Sequence, residues 1–276
     1  MPTPPFDALR RRFRTWPRLL LSAATCTAAA ATLLVPAVAR AEDLNGLGSK
    51  TQLVLSADRL FPFFSFSRAS VTSVENNQTR TTAESGASFG FFLGEEPALG
   101  AVHTIPRVAF DAVIVKGFTA GGSFAIALGL SHKQSEETIR NDNGVTTTVN
   151  RNPPRENIVG FAPRFGYIIP FTQAFGFWPR LGFAVYSRSR KQDIVDNNNT
   201  VIGAQTDSDT ILSLDVDPQF LITPVEHVFF HFGPIFNVPL TGSRSSEDAR
   251  GASTRTTSSD LAVFHFGISV GLGVWF

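Results

Sequence analysis

The feature that most restricts what this chain can fold into is an alternation of period two that recurs along it and runs to its last residue. At the C-terminus the even positions Ala262, Phe264, Phe266, Ile268, Val270, Leu272, Val274 and Phe276 are apolar, and the odd positions between them include His265, Gly267, Ser269, Gly271 and Gly273. Successive side chains of a strand point to opposite faces, so one face is bulky and apolar and the other small or polar. Leu212, Leu214, Val216, Phe220 and Ile222 oppose Ser213, Asp215, Asp217 and Gln219 in the same way. So do Val159, Phe161, Phe165 and Tyr167 against Gly160, Ala162, Arg164 and Gly166. Phe177, Leu181, Phe183 and Val185 oppose Trp178, Arg180, Gly182, Tyr186 and Arg188, and Phe118, Phe124, Ile126, Leu128 and Leu130 oppose Thr119, Gly121, Ser123, Ala125 and Gly129.

Alternation alone also suits a soluble sandwich with one face in water. The water face of a sandwich is charged, however, whereas here the second face is Gly, Ser and Ala with scattered charges. That composition fits a crowded concave lumen. A membrane barrel sets its large apolar face against lipid and its small or polar face inward. The expected fold is therefore all-β: a transmembrane antiparallel up-and-down β-barrel.

A repeat sets the strand count. Segments beginning at Ile105, Ala162 and Asp217 each read as strand, short turn, strand, and their leading prolines Pro106, Pro163 and Pro218 are regularly spaced. The short turns lie near Lys116-Gly117, Phe171 to Ala174 and Pro224 to His227. Polar stretches 136–155, 193–207 and 243–257 read as long loops at the opposite, extracellular end, with the short turns in the periplasm. Counting back gives strands near 257–276, 228–243, 208–223, 175–192, 155–170, 118–135 and 104–116, with a first strand from about Thr51. Eight strands are expected and ten are the alternative, because Ala87 to Phe92 also reads as strand. That segment resolves either as the upper part of the second strand, with an excursion from Glu95 to Thr104, or as a separate hairpin.

The N-terminus has its own pattern. Arg10, Arg11, Arg12, Arg14 and Arg18 precede an apolar run from Leu19 to Val38, and Ala39-Arg40-Ala41 follows. Basic region, apolar core and small-x-small site read as a secretory signal peptide, cleaved after Ala41. The domains expected are a signal peptide at 1–41 and an outer-membrane barrel at 42–276. Cys26, the only cysteine, falls in the apolar core, so the mature chain has no disulfide framework. Residues 1–41 carry six arginines and one aspartate, so their removal takes the net charge from +1 to near −4. No basic patch remains, and nucleic acid is not an expected partner.

The units from Asn157 to Phe183 and from Ser213 to Pro224 resemble the strand-turn-strand units of small Gram-negative outer-membrane β-barrels, the families around the outer membrane protein A barrel and its eight-stranded relatives. The ending is the more specific likeness. Such barrels commonly carry a C-terminal assembly signal with an aromatic last residue, and Ser269, Gly271, Val274 and Phe276 fill its places in order. The resemblance implies a monomer in the cell outer membrane, in contact with outer-membrane lipids. It implies delivery by periplasmic chaperones and recognition by the barrel-assembly machinery through the last strand. An unpaired terminal strand is a physical template for such capture.

The lumen parity gathers Arg107, Asp111, Arg164, Arg180, Asp215, Asp217, Gln219 and His231, together with Arg188, Asn237 and His265. Charges inside a narrow barrel are costly unless paired, and both signs are present. A side-chain-filled lumen and a structural or surface-interaction role are expected, with no enzymatic activity and no cofactor. A narrow channel for small solutes or ions is the alternative. A lipid-modifying enzyme at the outer rim would need base and nucleophile in reach, for which Ser131, His132 and Ser135 are the candidates. His231 and His265 share a face but lack further ligands, so no metal site is expected. Arg59, beside Asp58, breaks the lipid-face pattern of the first strand, which a bulge or an interfacial depth would accommodate. Phe61, Phe63, Phe64, Phe175, Phe177 and Trp178 are expected in aromatic girdles.

Overall fold

The computed structural model describes residues 44–49, 51–75, 78–89, 93–95, 100–131, 135–140, 146–151, 155–195, 201–250 and 253–276. The proposed signal peptide at 1–41 lies outside them, as does His132.

The strands are β1 (Gln52–Glu75), β2 (Gln78–Phe89), β3 (Leu93–Glu95), β4 (Arg107–Val115), β5 (Phe118–Ser131), β6 (Ser135–Arg140), β7 (Thr146–Arg151), β8 (Arg155–Tyr167), β9 (Ile169–Pro170), β10 (Phe175–Val195), β11 (Val201–Val225), β12 (Val228–Arg250) and β13 (Ser253–Trp275). Ten of them follow one antiparallel path, β13-β12-β11-β10-β8-β5-β4-β1-β2-β3, and a further β13–β1 ladder closes the eight from β13 to β1 into a ring. β9 extends the β8 lane against β10, and β6 pairs only with β7.

β2 and β4 share one lane of the ring. β1 pairs with β4 along Gln52–Asp58 and with β2 along Phe64–Glu75. The second strand is thus a single lane interrupted by an excursion. β3 folds back on β2, and a 3₁₀ turn at Gly100–His103 brings Val102 and His103 into full burial inside the ring.

Burial follows the alternation. β8 alternates exposed and buried at every residue from Arg155 to Tyr167. The outward residues form a continuous apolar belt: Phe118, Phe165, Leu181, Phe183, Phe230 and Ile268 are all exposed. On β10 the belt runs from Phe175 to Val185, about the ~9–11 residues a tilted strand needs to cross a bilayer. Large exposed apolar area of this kind is unstable in water and stable against lipid tails.

Three expectations need correction. The stretches 193–207 and 243–257 are mostly strand: β10 runs on to Val195, β11 starts at Val201, β12 runs to Arg250 and β13 starts at Ser253. These extensions are polar on both faces apart from Ile194, Val195, Val201 and Ile202 near one tip, which fall in consecutive pairs and not in alternation. There is thus no apolar period to be read, yet the ladders hold register, as in Asp207↔Ser246 and Glu247↔Thr256. The stretch 136–155 is in large part the β6–β7 hairpin. Trp178 is not in a girdle: it has inward parity and is fully buried.

Candidate functional site

The lumen is filled in three layers, built from inward-parity strand residues together with Arg59 at a bulge and two segments outside the ring strands. At the short-turn end lies an apolar layer of Leu44, Leu47, Val54, Val113, Ile168, Trp178, Leu221, Phe229 and Trp275. Leu44 and Leu47 come from the segment before β1, which bends back into the mouth through positive φ at Asn45, Gly46 and Gly48. Asn45 Nδ2 donates to the Thr223 carbonyl at 2.9 Å, and Gly117 N–H donates to the Gly48 carbonyl at 2.9 Å, so the segment is tied to the end of β11 and to the β4–β5 turn. A Cβ at Gly176 would meet the Leu44 side chain, so glycine there makes room for this cap.

The middle layer is ionic. Among the described residues it holds Arg59, Arg107, Arg164 and Arg180 against Asp58, Asp111, Asp215 and Asp217, four charges of each sign, all buried. Arg164 grips Asp111 with Nε to Oδ1 at 3.0 Å and Nη2 to Oδ2 at 2.5 Å, and also pairs with Asp58. Arg180 reaches Asp58 at 3.2 Å and Asp217 at 3.8 Å. Arg107 donates to Asp215 at 3.0 Å, and Arg59 to Asp215 at 3.3 Å and Asp217 at 3.4 Å. His231 lies between Gln219 Oε1, 3.2 Å away, and Asp58 Oδ1, 3.0 Å away. Gln219 in turn donates to the Pro234 carbonyl at 3.3 Å. Trp178 underlies the layer: the Arg180 and Arg164 guanidinium carbons stand 5.0 and 5.7 Å from its ring, and its Nε1 donates to Thr119 Oγ1 at 3.0 Å.

The upper layer is apolar again, with Ala69, Val102, Ala125, Ile158, Ala162, Ala184, Tyr186, Ile211, Leu261 and Val263 packed together. Its stopper is the Gly100–His103 turn. His103 stacks on His265 at 5.5 Å and meets Tyr186 edge-on at 5.2 Å, while its carbonyl accepts from Arg59 Nη1 at 2.6 Å. His265 Nδ1 faces the Asn237 amide oxygen at 3.0 Å and therefore donates to it, which leaves Nε2, 2.9 Å from Ser65 Oγ, as an acceptor. Above this layer a second ion cluster lines the wall. Arg188 bridges Glu156 and Asp209, at 2.5 and 3.0 Å, and Arg244 holds Asp209 from the next strand at 2.7 Å. That hydrogen bond pushes the Arg244 guanidinium above its ordinary value.

All of Arg107, Asp111, Arg164, Arg180, Asp215, Asp217, Gln219 and His231 stand in the middle layer. His231 and His265 have separate partners, and no cluster of metal-ligating side chains occurs among the described residues. Sequence reasoning missed Asp58, Glu156 and Asp209, although Asp58 shares inward parity with Gln52, Val54 and Ser56. Arg59 breaks the pattern because of a bulge. Register shifts between Ala57↔Leu272 and Phe61↔Val270, Arg59 takes φ +59°, and both Asp58 and Arg59 turn inward. In the last strand Ser269 and Gly271 face the lumen, while Val274 and Phe276 lie on the outward parity.

Neither a protein-family model nor a curated protein sequence matches the chain. Solved structures similar to it include the outer membrane protein OprG from Pseudomonas aeruginosa (TM-score 0.44, 9% identity, covering 85% of this chain and 99% of that one). Others are the outer membrane protease OmpT from Escherichia coli (0.42, 7%, 82% and 97%) and a major outer membrane protein from Thermus thermophilus (0.41, 12%, 81% and 99%). The closed ladder, the apolar belt and the inward charges together make this chain a transmembrane antiparallel β-barrel.

Proposed function

We propose that the protein is an outer-membrane barrel that carries nothing through its lumen and acts through its outer surfaces, as a structural or surface-interaction protein. The observation that carries this reading is the series of seals. An apolar layer lies on each side of the ionic layer, and each is completed by a chain segment from outside the ring strands, Leu44–Ser49 at one end and Gly100–His103 at the other. An ion crossing the barrel would have to shed its hydration twice in apolar surroundings. The ionic layer is charge-balanced and internally bonded, which suits a lock on barrel shape.

In this reading the polar hairpins β1–β2, β10–β11 and β12–β13 stand outside the cell as the contact surface. The chain is exported by a signal peptide at 1–41, handed on by periplasmic chaperones and inserted as a monomer by the assembly machinery, which reads Ser269, Gly271, Val274 and Phe276. Single-channel recording in planar bilayers tests the function. A flat baseline at applied voltage is expected; reproducible unitary openings would favour the channel reading instead.

A further inference from the structure

Above the belt, the outer wall holds two cations that face each other across a ladder. Arg155 on β8 and Lys191 on β10 are direct cross-strand partners, both exposed and both on the outward parity. Like charges directly opposite in an antiparallel pair are destabilising. Their ladder neighbours on the far sides are neutral, Ser131 and Thr206, and the carboxylate of β10 on the same outward parity, Asp193, stands two residues beyond Lys191 rather than opposite either cation. Among the described residues no ion pair joins either cation to a carboxylate. Glu156, next to Arg155, points inward and is held by Arg188.

We propose that Arg155 and Lys191 clamp the phosphate-monoester headgroup of a lipid in the leaflet at the long-hairpin end. Position supports a lipid over a dissolved ion. The belt on β8 ends at Val159, four residues below Arg155. At ~3.3 Å per residue and ~40° of tilt this sets Arg155 roughly 10 Å above the last apolar residue of its own strand, while the exposed Leu128 of the adjacent β5 carries the belt higher beside it. Long basic side chains reach back toward headgroup level from that height. A dianionic phosphate offers oxygens to a guanidinium fork and an ammonium at once, which removes the repulsion between them.

The inference rests on the belt facing lipid and not on the sealed lumen, so channel recordings do not bear on it. The test is the midpoint of the heat-dependent gel shift of refolded protein. It is measured in phosphatidylcholine vesicles alone, with a minor share of phosphatidic acid, with an equal charge of phosphatidylglycerol, and with dissolved inorganic phosphate. Phosphatidic acid is expected to raise the midpoint by several degrees, clearly more than phosphatidylglycerol, and dissolved phosphate to leave it unchanged. The Arg155→Gln/Lys191→Gln double variant is expected to lose the phosphatidic acid response. Lys191→Glu, which sets a carboxylate opposite Arg155, is expected to raise the midpoint in phosphatidylcholine alone and to lose the response too. An undiminished response in both variants, or none in the unmodified protein, overturns the proposal. A response to dissolved phosphate equal to that of the lipid assigns the pair to a soluble anion and overturns the lipid reading.

Discussion

Arg59 ties the ionic layer to the upper cap, and it does so from a backbone conformation that favours glycine. Its φ of +59° costs an L residue about 1–2 kcal/mol. The return is contact with Asp215, Asp217 and the His103 carbonyl at once. Removing one member of a buried ion network strands the others, at about 3–5 kcal/mol. Arg59→Ala is expected to destabilise by that order, and Arg59→Gly by about 1 kcal/mol less because glycine accepts the φ. Urea unfolding in vesicles measures both; equal losses would show that the backbone is unstrained. Gly271 is a second such residue. A Cβ there would collide with the His231 imidazole and the Ala57 carbonyl, so the fold itself requires glycine at this place in the terminal motif. Gly271→Ala is expected to cost about 1–3 kcal/mol even in purified refolded protein. Arg107, Asp111, Arg164, Arg180, Asp215 and Asp217 were legible because strict parity gives each a face, whereas Glu156 and Asp209 stand toward the strand ends, where the outward face is polar too and parity no longer separates lumen from exterior. Asp58 was harder to find, because the bulge beside it reverses parity one residue later.

At the scale of elements, legibility stopped where both faces of a strand became wet. β10, β11, β12 and β13 extend well beyond the belt, and their polar hairpins have no apolar period although their ladders continue. The middle of each strand was clear because lipid on one side and a crowded lumen on the other force the alternation. The two caps are a different case. Leu44-Asn45-Gly46-Leu47 and Gly100–His103 carry no strand signal, and only the assembled ring shows what they fill. Leu47→Ala is expected to destabilise by about 2–4 kcal/mol, as a buried leucine in a tight layer does. Deleting Gly100–His103 alone is expected to leave the protein non-conducting in planar bilayers, since the lower layer still closes the path. Openings on loss of the upper cap would show that the lower layer does not seal.

For the whole molecule, closure through β1 and β13 joins the two ends of the ring, with Leu53 and Phe276 exchanging backbone hydrogen bonds at 3.2 and 3.0 Å. If the terminal motif is also an assembly signal, its outward members and its inward glycine separate in experiment. Phe276→Ser is expected to lower the amount of folded barrel in cells several-fold and to leave refolding in vesicles nearly unchanged, whereas Gly271→Ala impairs both. The central claim is that one parity faces lipid and the other a closed interior, and cysteine scanning tests it most directly, because the sole native cysteine, Cys26, precedes the first strand in sequence and is replaced by serine in every variant. Single cysteines at outward Phe183 and Leu214 and at inward Ser213 and Ala184 are expected to resist a membrane-impermeant maleimide in folded protein. Fluorophores attached before refolding are expected to be quenched by lipid-borne quenchers at the outward pair only. Rapid aqueous labelling of Ser213→Cys or Ala184→Cys in the folded barrel would contradict the sealed lumen, and aqueous labelling at the outward pair would contradict the membrane face.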